Sequence, residues 1–197
     1  GPTLAAAFWS AGLVDRVVPG ADVVSAVGQA LGALSADRPT STGAPAANQP
    51  PTRDAWDQVT ASRLDDRADG TSLIDTLLTD RAPLRGADET VAAAIGRLAG
   101  RRVVAVALTA ARSVMPTPAG YALLNRGAQL ASDLGLALLT FIDTPGADPH
   151  TEAAGLAASI ATAMTAVLEC QSPTISFVHG EGGSGGALAI ATANKVF

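Results

Sequence analysis

Three short runs rich in aliphatic residues dominate the second half of the chain, at positions 103–108, 136–142 and 174–178. Helical patterns separate them, at positions 119–134 and 152–168. Strands joined by a helix-length crossover pair in parallel, and strands that are apolar throughout are covered on both faces. The sequence therefore predicts an α/β fold in which strand and helix units alternate around a parallel sheet.

Each of these strands is followed by a loop of unusual composition. The loops contain Arg112 and the run Met115 to Tyr121, then Asp143-Thr144-Pro145-Gly146-Ala147, then a glycine-rich turn. Ligands of open parallel sheets bind at the carboxyl edge of the strands. We therefore expect a binding site where the three loops converge.

The glycine-rich turn spans positions 179–187 and leads from the third strand into a helix. Glycines let backbone amides approach a ligand, and a helix start adds unpaired N–H groups and positive potential, so the turn suits a negative charge. Three motifs overlap in it. They are a dinucleotide fingerprint, a nucleophile elbow at Ser184, and an oxyanion hole made by the amides of Gly185, Gly186 and Ala187.

Context favours the oxyanion hole. The only lysine is Lys195, so the turn lacks the P-loop lysine that a nucleotide-phosphate site would use. No acidic residue or histidine follows Ser184, so the nucleophile elbow has no partner to activate its serine. We expect Ser184 to be the helix N-cap. Asp143 begins an Asp-x-x-Gly element like that of GTPases, but the absence of a P-loop excludes a GTPase. We therefore expect Asp143 to cap its turn, and the Pro145-Gly146 bend to leave an amide exposed at Gly146 or Ala147.

Composition narrows the class of protein. The chain is 48% hydrophobic but only 4% aromatic, which favours close packing of helices on a sheet, and its net charge of −5 disfavours nucleic acid. One cysteine and two histidines provide no zinc-ligand spacing, and Cys170 is expected to be a small apolar residue near a helix end. No apolar run is long enough for a membrane span, so we expect a cytoplasmic protein.

The positive charge is unevenly distributed. Positions 90–132 hold no acidic residue but five arginines, at 97, 101, 102, 112 and 126. Two interpretations of this basic stretch stay open. It attracts an anionic ligand, or its arginines are solvated side chains beside a buried strand.

We expect three segments along the chain. Residues 1–34 form a small unit, with a strand at 12–19 and a helix at 21–34, that belongs to a domain other than the one after it. Residues 35–53 lack large apolar side chains and are expected to be a linker. Residues 54–197 begin with an acidic, mostly helical stretch at 54–89, expected to be a solvated helix pair.

The three loops resemble the alpha subunit of the acetyl-CoA carboxylase carboxyltransferase, in the crotonase-like superfamily. That family reads Met-Pro-x-Pro-x-Gly-Tyr, then Phe-Ile-Asp-Thr-Pro-Gly-Ala, then Gly-Glu-Gly-Gly-Ser-Gly-Gly-Ala-Leu-Ala-Ile, and the chain carries these motifs at 115–121, 141–147 and 180–190. Residues 12–19 resemble the Gly-Leu-x-Asp-x-Val-Val-Pro segment that closes the partner beta subunit. The resemblance implies a crotonase/ClpP-like domain, incomplete at its C-terminus, fused to the tail of a beta-type domain.

The resemblance also implies a reaction, the transfer of a carboxyl group from carboxybiotin on a carrier protein to an acyl-CoA, giving malonyl-CoA for fatty acid biosynthesis. Gly185, Gly186 and Ala187 would then face the ureido oxygen of biotin. The residues expected to bind substrate are Gly182, Gly183, Pro145, Gly146, Ala147, Met115 and Arg112. No metal is expected in this chain. The implied partners are biotin carboxylase, the biotin carboxyl carrier protein, the rest of the carboxyltransferase and further copies in a homo-oligomer.

The chain also departs from that family. The basic loop after position 108 is short, the residues after Ala147 lack the family's tyrosine and arginine, and Ala122-Leu123 replaces a basic pair. Two alternatives therefore stay open. One is a biotin-independent decarboxylase of malonyl thioesters with the same fold, and the other is a non-catalytic scaffold subunit of a carboxylase complex. We also expect Gly186→Val to abolish transfer while leaving the fold intact.

Overall fold

The computed structural model describes residues 9–12, 14–37, 54–64, 66–109, 115–148 and 155–197. Its strands are β1 Thr79–Leu84, β2 Val91–Leu98, β3 Arg101–Leu108, β4 Ala137–Thr144, β5 Thr174–Gly182 and β6 Lys195–Val196. Its helices are α1 Val23–Leu34, α2 Ala55–Ala61, α3 Gly70–Leu77, α4 Pro118–Leu134, α5 Leu156–Leu168 and α6 Ser184–Ala191, with a 3₁₀ turn at Gly20–Asp22 before α1. The strands form one sheet in the order β1-β2-β3-β4-β5-β6.

The second half of the sheet confirms the predicted α/β pattern. β3 pairs in parallel with β4, β4 with β5, and β5 with β6. Helices α4 and α5 provide the crossovers between β3, β4 and β5. The carboxyl ends of these strands therefore lie along one edge of the sheet, and their loops extend from that edge.

The first half of the sheet is antiparallel and was not predicted. β1 pairs with β2 and β2 with β3, both antiparallel. The expectation of a helical stretch at 54–89 holds for α2 and α3 but is wrong for Thr79–Leu84, and α3 is not simply solvated because Ile74 is buried. Strand β1 is polar and contains Pro83, which an edge strand tolerates. Strand β2 is rich in alanine and glycine, so its sequence has little strand character.

The N-terminal segment also differs from expectation, because its predicted strand is not formed. Residues 14–19 contain no strand, and the helix begins only after the 3₁₀ turn. The segment is held instead by side chains of the basic stretch. Arg97 donates to the carbonyls of Gly32 and Ser35 at 3.1 and 2.6 Å. Contacts from Arg102 to Asp37 and from Arg126 to Asp15 add two ion pairs. Three of the five arginines expected to attract an anion therefore hold residues 14–37 against the sheet.

Side chains on the two faces of the sheet enter separate apolar clusters. Alternate residues of β3, namely Val104, Val106 and Leu108, pack into the cluster that also contains residues of α4, α5 and α6. Their neighbours Val103, Ala105 and Ala107 pack with Ile74 of α3 on the opposite face. Because β3 is buried on both faces, it provides a rigid base for the loops at the carboxyl edge.

Candidate functional site

The glycine turn and the Pro145-Gly146 loop meet at the carboxyl edge of the sheet, as the sequence predicted, and the start of α4, which follows the first loop, packs against them. The Pro145-Gly146 loop lies so close to Gly183 that a Cβ on Gly183 would stand 2.9 Å from the Gly146 nitrogen, and closer still to the Pro145 carbonyl. A Cβ on Gly186 would stand 2.7 Å from the Gly146 carbonyl carbon and 2.9 Å from the hydroxyl of Tyr121. The absence of these side chains allows the glycine turn, the Pro-Gly loop and the start of α4 to pack together.

The start of α6 decides which amides of the turn are free. The N-cap residue is Gly183, and the Ala187 N–H donates to its carbonyl at 3.1 Å. The amides of Ser184, Gly185 and Gly186 precede that first intrahelical bond, and the described residues provide them with no acceptor. The set of amides expected from the sequence therefore shifts by one residue, with Ser184 replacing Ala187.

Ser184 does not act as the helix N-cap, so that prediction was wrong. It is the first residue of α6, the N-cap is Gly183, and the φ of Ser184 is +52°. A serine in this left-handed region is strained, and such strain is concentrated at functional turns.

The Pro145-Gly146 loop is locked by the hydroxyl of Thr144. This hydroxyl accepts the Gly146 N–H at 3.1 Å and donates to the Gly146 carbonyl at 2.9 Å. The Gly146 amide is thus occupied, whereas the described residues provide no acceptor for the Ala147 N–H. Of the two amides expected to be exposed, Ala147 remains the candidate. Gly146 has a φ of +141°, which favours glycine.

Asp88 anchors the first loop, a role that nothing in the sequence indicated beyond an acidic residue near a turn. Its carboxylate accepts the N–H and the hydroxyl of Thr117 at 2.8 and 2.6 Å, and both the N–H and the hydroxyl of Thr90. Burial opposes ionisation of Asp88, but these four hydrogen bonds outweigh it and hold its pKa below the usual value. Met115 lies half-buried just before Thr117, and Arg112 lies outside the described residues.

Tyr121 brings an unpaired polar group into this junction. The side chain is 1% exposed, and its hydroxyl finds no hydrogen-bond partner among the described residues. Burial, with a contribution from the charge of Asp88, raises the pKa of Tyr121 to about 12, so the hydroxyl is neutral at physiological pH. A neutral hydroxyl beside the turn can donate a hydrogen bond if the turn moves by a small amount.

A second polar cluster lies on the other face of the sheet, at the end of β5. Asp143 is 4% exposed, accepts the Glu181 N–H at 2.8 Å and pairs with Arg67 at 2.8 Å. These contacts are structural, but Asp143 does not cap its own turn as predicted, because its carboxylate binds Glu181 and Arg67 while the Thr144 hydroxyl bonds the turn. His179 packs edge-on against Phe141, and no hydrogen-bond partner for its Nε2 atom lies in the part of the chain that the structure describes. Burial lowers the pKa of His179.

Three further features concern the residues that the structure describes. These residues contain no group of three His, Cys, Asp or Glu side chains placed to hold a metal ion. None of their helices is both long and apolar enough to span a bilayer. Cys170 is half-buried, and its thiol faces the Ala128 carbonyl at 3.7 Å, near the end of α5.

Known proteins match this chain over most of its length. Residues 51–197 match the family model described as acetyl co-enzyme A carboxylase carboxyltransferase-like. A fused carboxyl transferase, subunits beta/alpha, of Saccharopolyspora erythraea is 34% identical over 94% of this chain and 36% of its own length. The alpha subunit from Methylobacterium sp. (strain 4-46) is 38% identical over 72% of this chain and 50% of its own.

Solved structures show the same fold at low sequence identity. The transcarboxylase 12S core, crystallised with methylmalonyl-coenzyme A, has a TM-score of 0.60 at 21% identity, over 65% of this chain and 27% of that one. The Pseudomonas malonate decarboxylase MdcD-MdcE heterodimer has a TM-score of 0.56 at 22% identity, over 71% of this chain and 65% of that one. The expected crotonase-like α/β fold is thereby confirmed.

The chain spans half or less of the length of these two curated relatives. The family match nevertheless covers residues 51–197, which include all three loops of the site and every strand of the sheet. The chain therefore belongs to the acetyl-CoA carboxylase carboxyltransferase family.

Proposed function

We propose that this chain forms the alpha-type half of a biotin-dependent acyl-CoA carboxyltransferase, which transfers a carboxyl group to acetyl-CoA for fatty acid biosynthesis. The observation that carries the proposal is the start of α6. There three successive amides, those of Ser184, Gly185 and Gly186, find no acceptor among the described residues and stand at the positive end of a helix. Family membership supports the reaction type.

The site fits an oxygen that gains negative charge during the reaction. Free amides fixed in position stabilise such charge, and the loss of one donor typically costs about 3 to 4 kcal/mol in the barrier. The turn cannot move easily, because Gly183 and Gly186 are wedged against the Gly146 loop. Carboxybiotin would supply the carboxyl group, and the free amides of the turn would bind its ureido oxygen.

The other residues expected to bind substrate take supporting roles in this proposal. Gly182 and Gly183 shape the turn, and Pro145 and Gly146 form the wall against which it packs. The Ala147 amide is free to bind a second oxygen of the substrate. Met115 lies in the first loop, just before α4. The role of Arg112 stays a prediction from the sequence.

We also propose the fused arrangement that the sequence predicted. Residues 1–34 would be the tail of an upstream beta-type domain, 35–53 a linker, and 54–197 part of the alpha-type domain. The match to a fused beta/alpha relative over 94% of the chain supports this arrangement. Its partners would be biotin carboxylase, the biotin carrier protein and further copies of the chain, and its location the cytoplasm.

The test is a substitution at Gly185 in the full-length protein with its carrier and carboxylase. A Cβ at Gly185 would meet nothing closer than Ile160 at 3.9 Å, so Gly185→Val keeps the fold while a branched side chain crowds the free amides. We expect carboxylation of acetyl-CoA to fall by a factor of about 100 to 1,000. The matched control is Leu188→Ala, an exposed position on the same helix.

Carboxylation at the wild-type rate in Gly185→Val would refute the proposal. Decarboxylation of malonyl-CoA that persists after avidin has removed every biotinylated protein would favour the biotin-independent decarboxylase. A complete assembly that neither carboxylates nor decarboxylates, and that binds no CoA or biotin analogue by calorimetry, would identify a scaffold subunit.

A further inference from the structure

Strand β5 contains a large bulge just before the glycine turn. Ile142 of β4 pairs with Val178 of β5, and the next pair is Thr144 with Gly182. β4 therefore advances two residues while β5 advances four, so Asp143 alone faces the three residues 179–181. A bulge bends its strand and redirects the residues after it. Here it sets where the turn begins, and hence where the free amides of α6 lie.

Two side chains hold the backbone of this bulge. Asp143 accepts the Glu181 N–H at 2.8 Å with one carboxylate oxygen and binds Arg67 with the other, also at 2.8 Å. Arg67 uses a second nitrogen to donate to the His179 carbonyl at 3.0 Å. The pair thus binds the backbone at both ends of the bulge. A planar guanidinium can make both of these bonds at once, which an ammonium group cannot do with the same geometry.

Gly180, at the centre of the bulge, makes room for the pair. A Cβ at this position would stand 2.5 Å from a terminal nitrogen of Arg67 and closer still to the Asp143 carboxylate. The first glycine of the motif therefore does not face the proposed ligand. Its lack of a side chain allows the ion pair to lie directly against the strand.

The Arg67–Asp143 ion pair is more buried than the neighbouring Arg63–Glu181 pair. The side chains of Arg67 and Asp143 are 22% and 6% exposed, whereas those of Arg63 and Glu181 are 57% and 30% exposed. Within the described ranges, Arg63 donates to the side chain of Glu181 at 2.8 Å and to no backbone atom of the bulge. A buried ion pair that bonds the backbone restrains its geometry, while an exposed pair is worth little.

We propose that Arg67 is a positioning residue, which acts through Asp143 and the bulge to hold the amides of Ser184, Gly185 and Gly186 in place. This inference rests on the proposed function for its effect on catalysis. Arg67 lies in the stretch between α2 and α3, so a residue of the acidic segment at 54–89 would control the site from the opposite face of the sheet. It would not touch the substrate.

The experiment compares Arg67→Ala, Arg67→Lys and the control Arg63→Ala in the complete assembly. We measure kcat and KM for acetyl-CoA, and exchange of the hydrogen-bonded amides of Glu181, Gly183 and Ala187, with β3 and β4 as the internal reference. A displacement of about 1 Å at a reacting centre can cost about 100-fold. We therefore expect Arg67→Ala to lower kcat by about 10- to 100-fold while KM changes less than about twofold.

Exchange of the Glu181, Gly183 and Ala187 amides should rise in Arg67→Ala and stay unchanged in β3 and β4. Arg67→Lys should recover part of kcat, because it keeps the charge but makes only one of the two bonds. Arg63→Ala should match the wild type in both measurements. Unchanged exchange in the turn, or a rise that is equally large in β3 and β4, would overturn the inference. If the wild-type assembly transfers no carboxyl group, the proposed function fails, and the exchange data alone decide whether Arg67 holds the turn.

Discussion

Substitution of neighbouring glycines in the turn should have opposite effects on stability. In Gly186→Ala the new methyl group would stand 2.7 Å and 2.9 Å from the carbonyl carbon and oxygen of Gly146, and 2.9 Å from the Tyr121 hydroxyl. In Gly185→Ala the nearest atom would be 3.9 Å away. The structure thus corrects the expectation that Gly186→Val leaves the fold intact.

The loss of stability in Gly186→Ala depends on whether the atoms around the new methyl group can move. The Gly146 loop cannot move freely, because both its N–H and its carbonyl are bound to Thr144. Extra volume in a packed site costs about 1 to 3 kcal/mol, and replacing a helical glycine returns about 0.5 to 1 kcal/mol. We expect Gly186→Ala to lower the free energy of unfolding by about 1 to 2 kcal/mol, and Gly185→Ala to leave it unchanged or raise it slightly.

Differential scanning calorimetry of the full-length protein can resolve this difference. For a domain of this size, 1 kcal/mol shifts Tm by about 2 to 4 °C, so Gly186→Ala should melt about 2 to 8 °C below Gly185→Ala. Equal melting temperatures for the two variants would refute the reasoning. They would show that the Gly146 loop moves aside and that close packing does not fix the turn.

Three further substitutions test other parts of the structure. Tyr121→Phe should raise the free energy of unfolding by about 1 kcal/mol in urea titrations, since it removes a buried unpaired hydroxyl; a loss of stability would mean that the hydroxyl has a partner. His179 has a lowered folded-state pKa, so as pH falls below the unfolded value of about 6.5 the unfolded state takes up a proton first and stability declines. This decline between pH 7 and pH 5 should be smaller in His179→Gln, and equal slopes would contradict the assignment. Arg97→Ala should cost about 2 kcal/mol or more and speed amide exchange in α1, because charged hydrogen bonds to Gly32 and Ser35 are lost; unchanged exchange there would show that the arginine does not hold the segment.

The sequence determined the parallel half of the fold and the place of the site. Continuous apolar runs can be buried only on both faces of a sheet, and helix-length connections between them require parallel pairing, so β3, β4 and β5 followed from local pattern. The glycine and proline loops were also predicted from the sequence, because glycines without side chains let backbone amides approach a ligand. The antiparallel strands were not, since half of the residues of β1 are polar and half of those of β2 are alanine or glycine. Their pairing depends on a neighbouring strand and not on their own composition.

Which amides are free, and what holds them, was decided only by the tertiary structure. Helix α6 starts one residue earlier than its sequence suggests, so the Ala187 amide is used within the helix and that of Ser184 is not. Three arginines of the basic stretch bind the N-terminal segment, and Arg67 reaches the glycine turn from a segment more than 100 residues away in the chain. Such contacts join residues that are distant in sequence, so no local pattern of charge or hydropathy records them. Backbone geometry and long-range hydrogen bonds decide them once the sheet has formed.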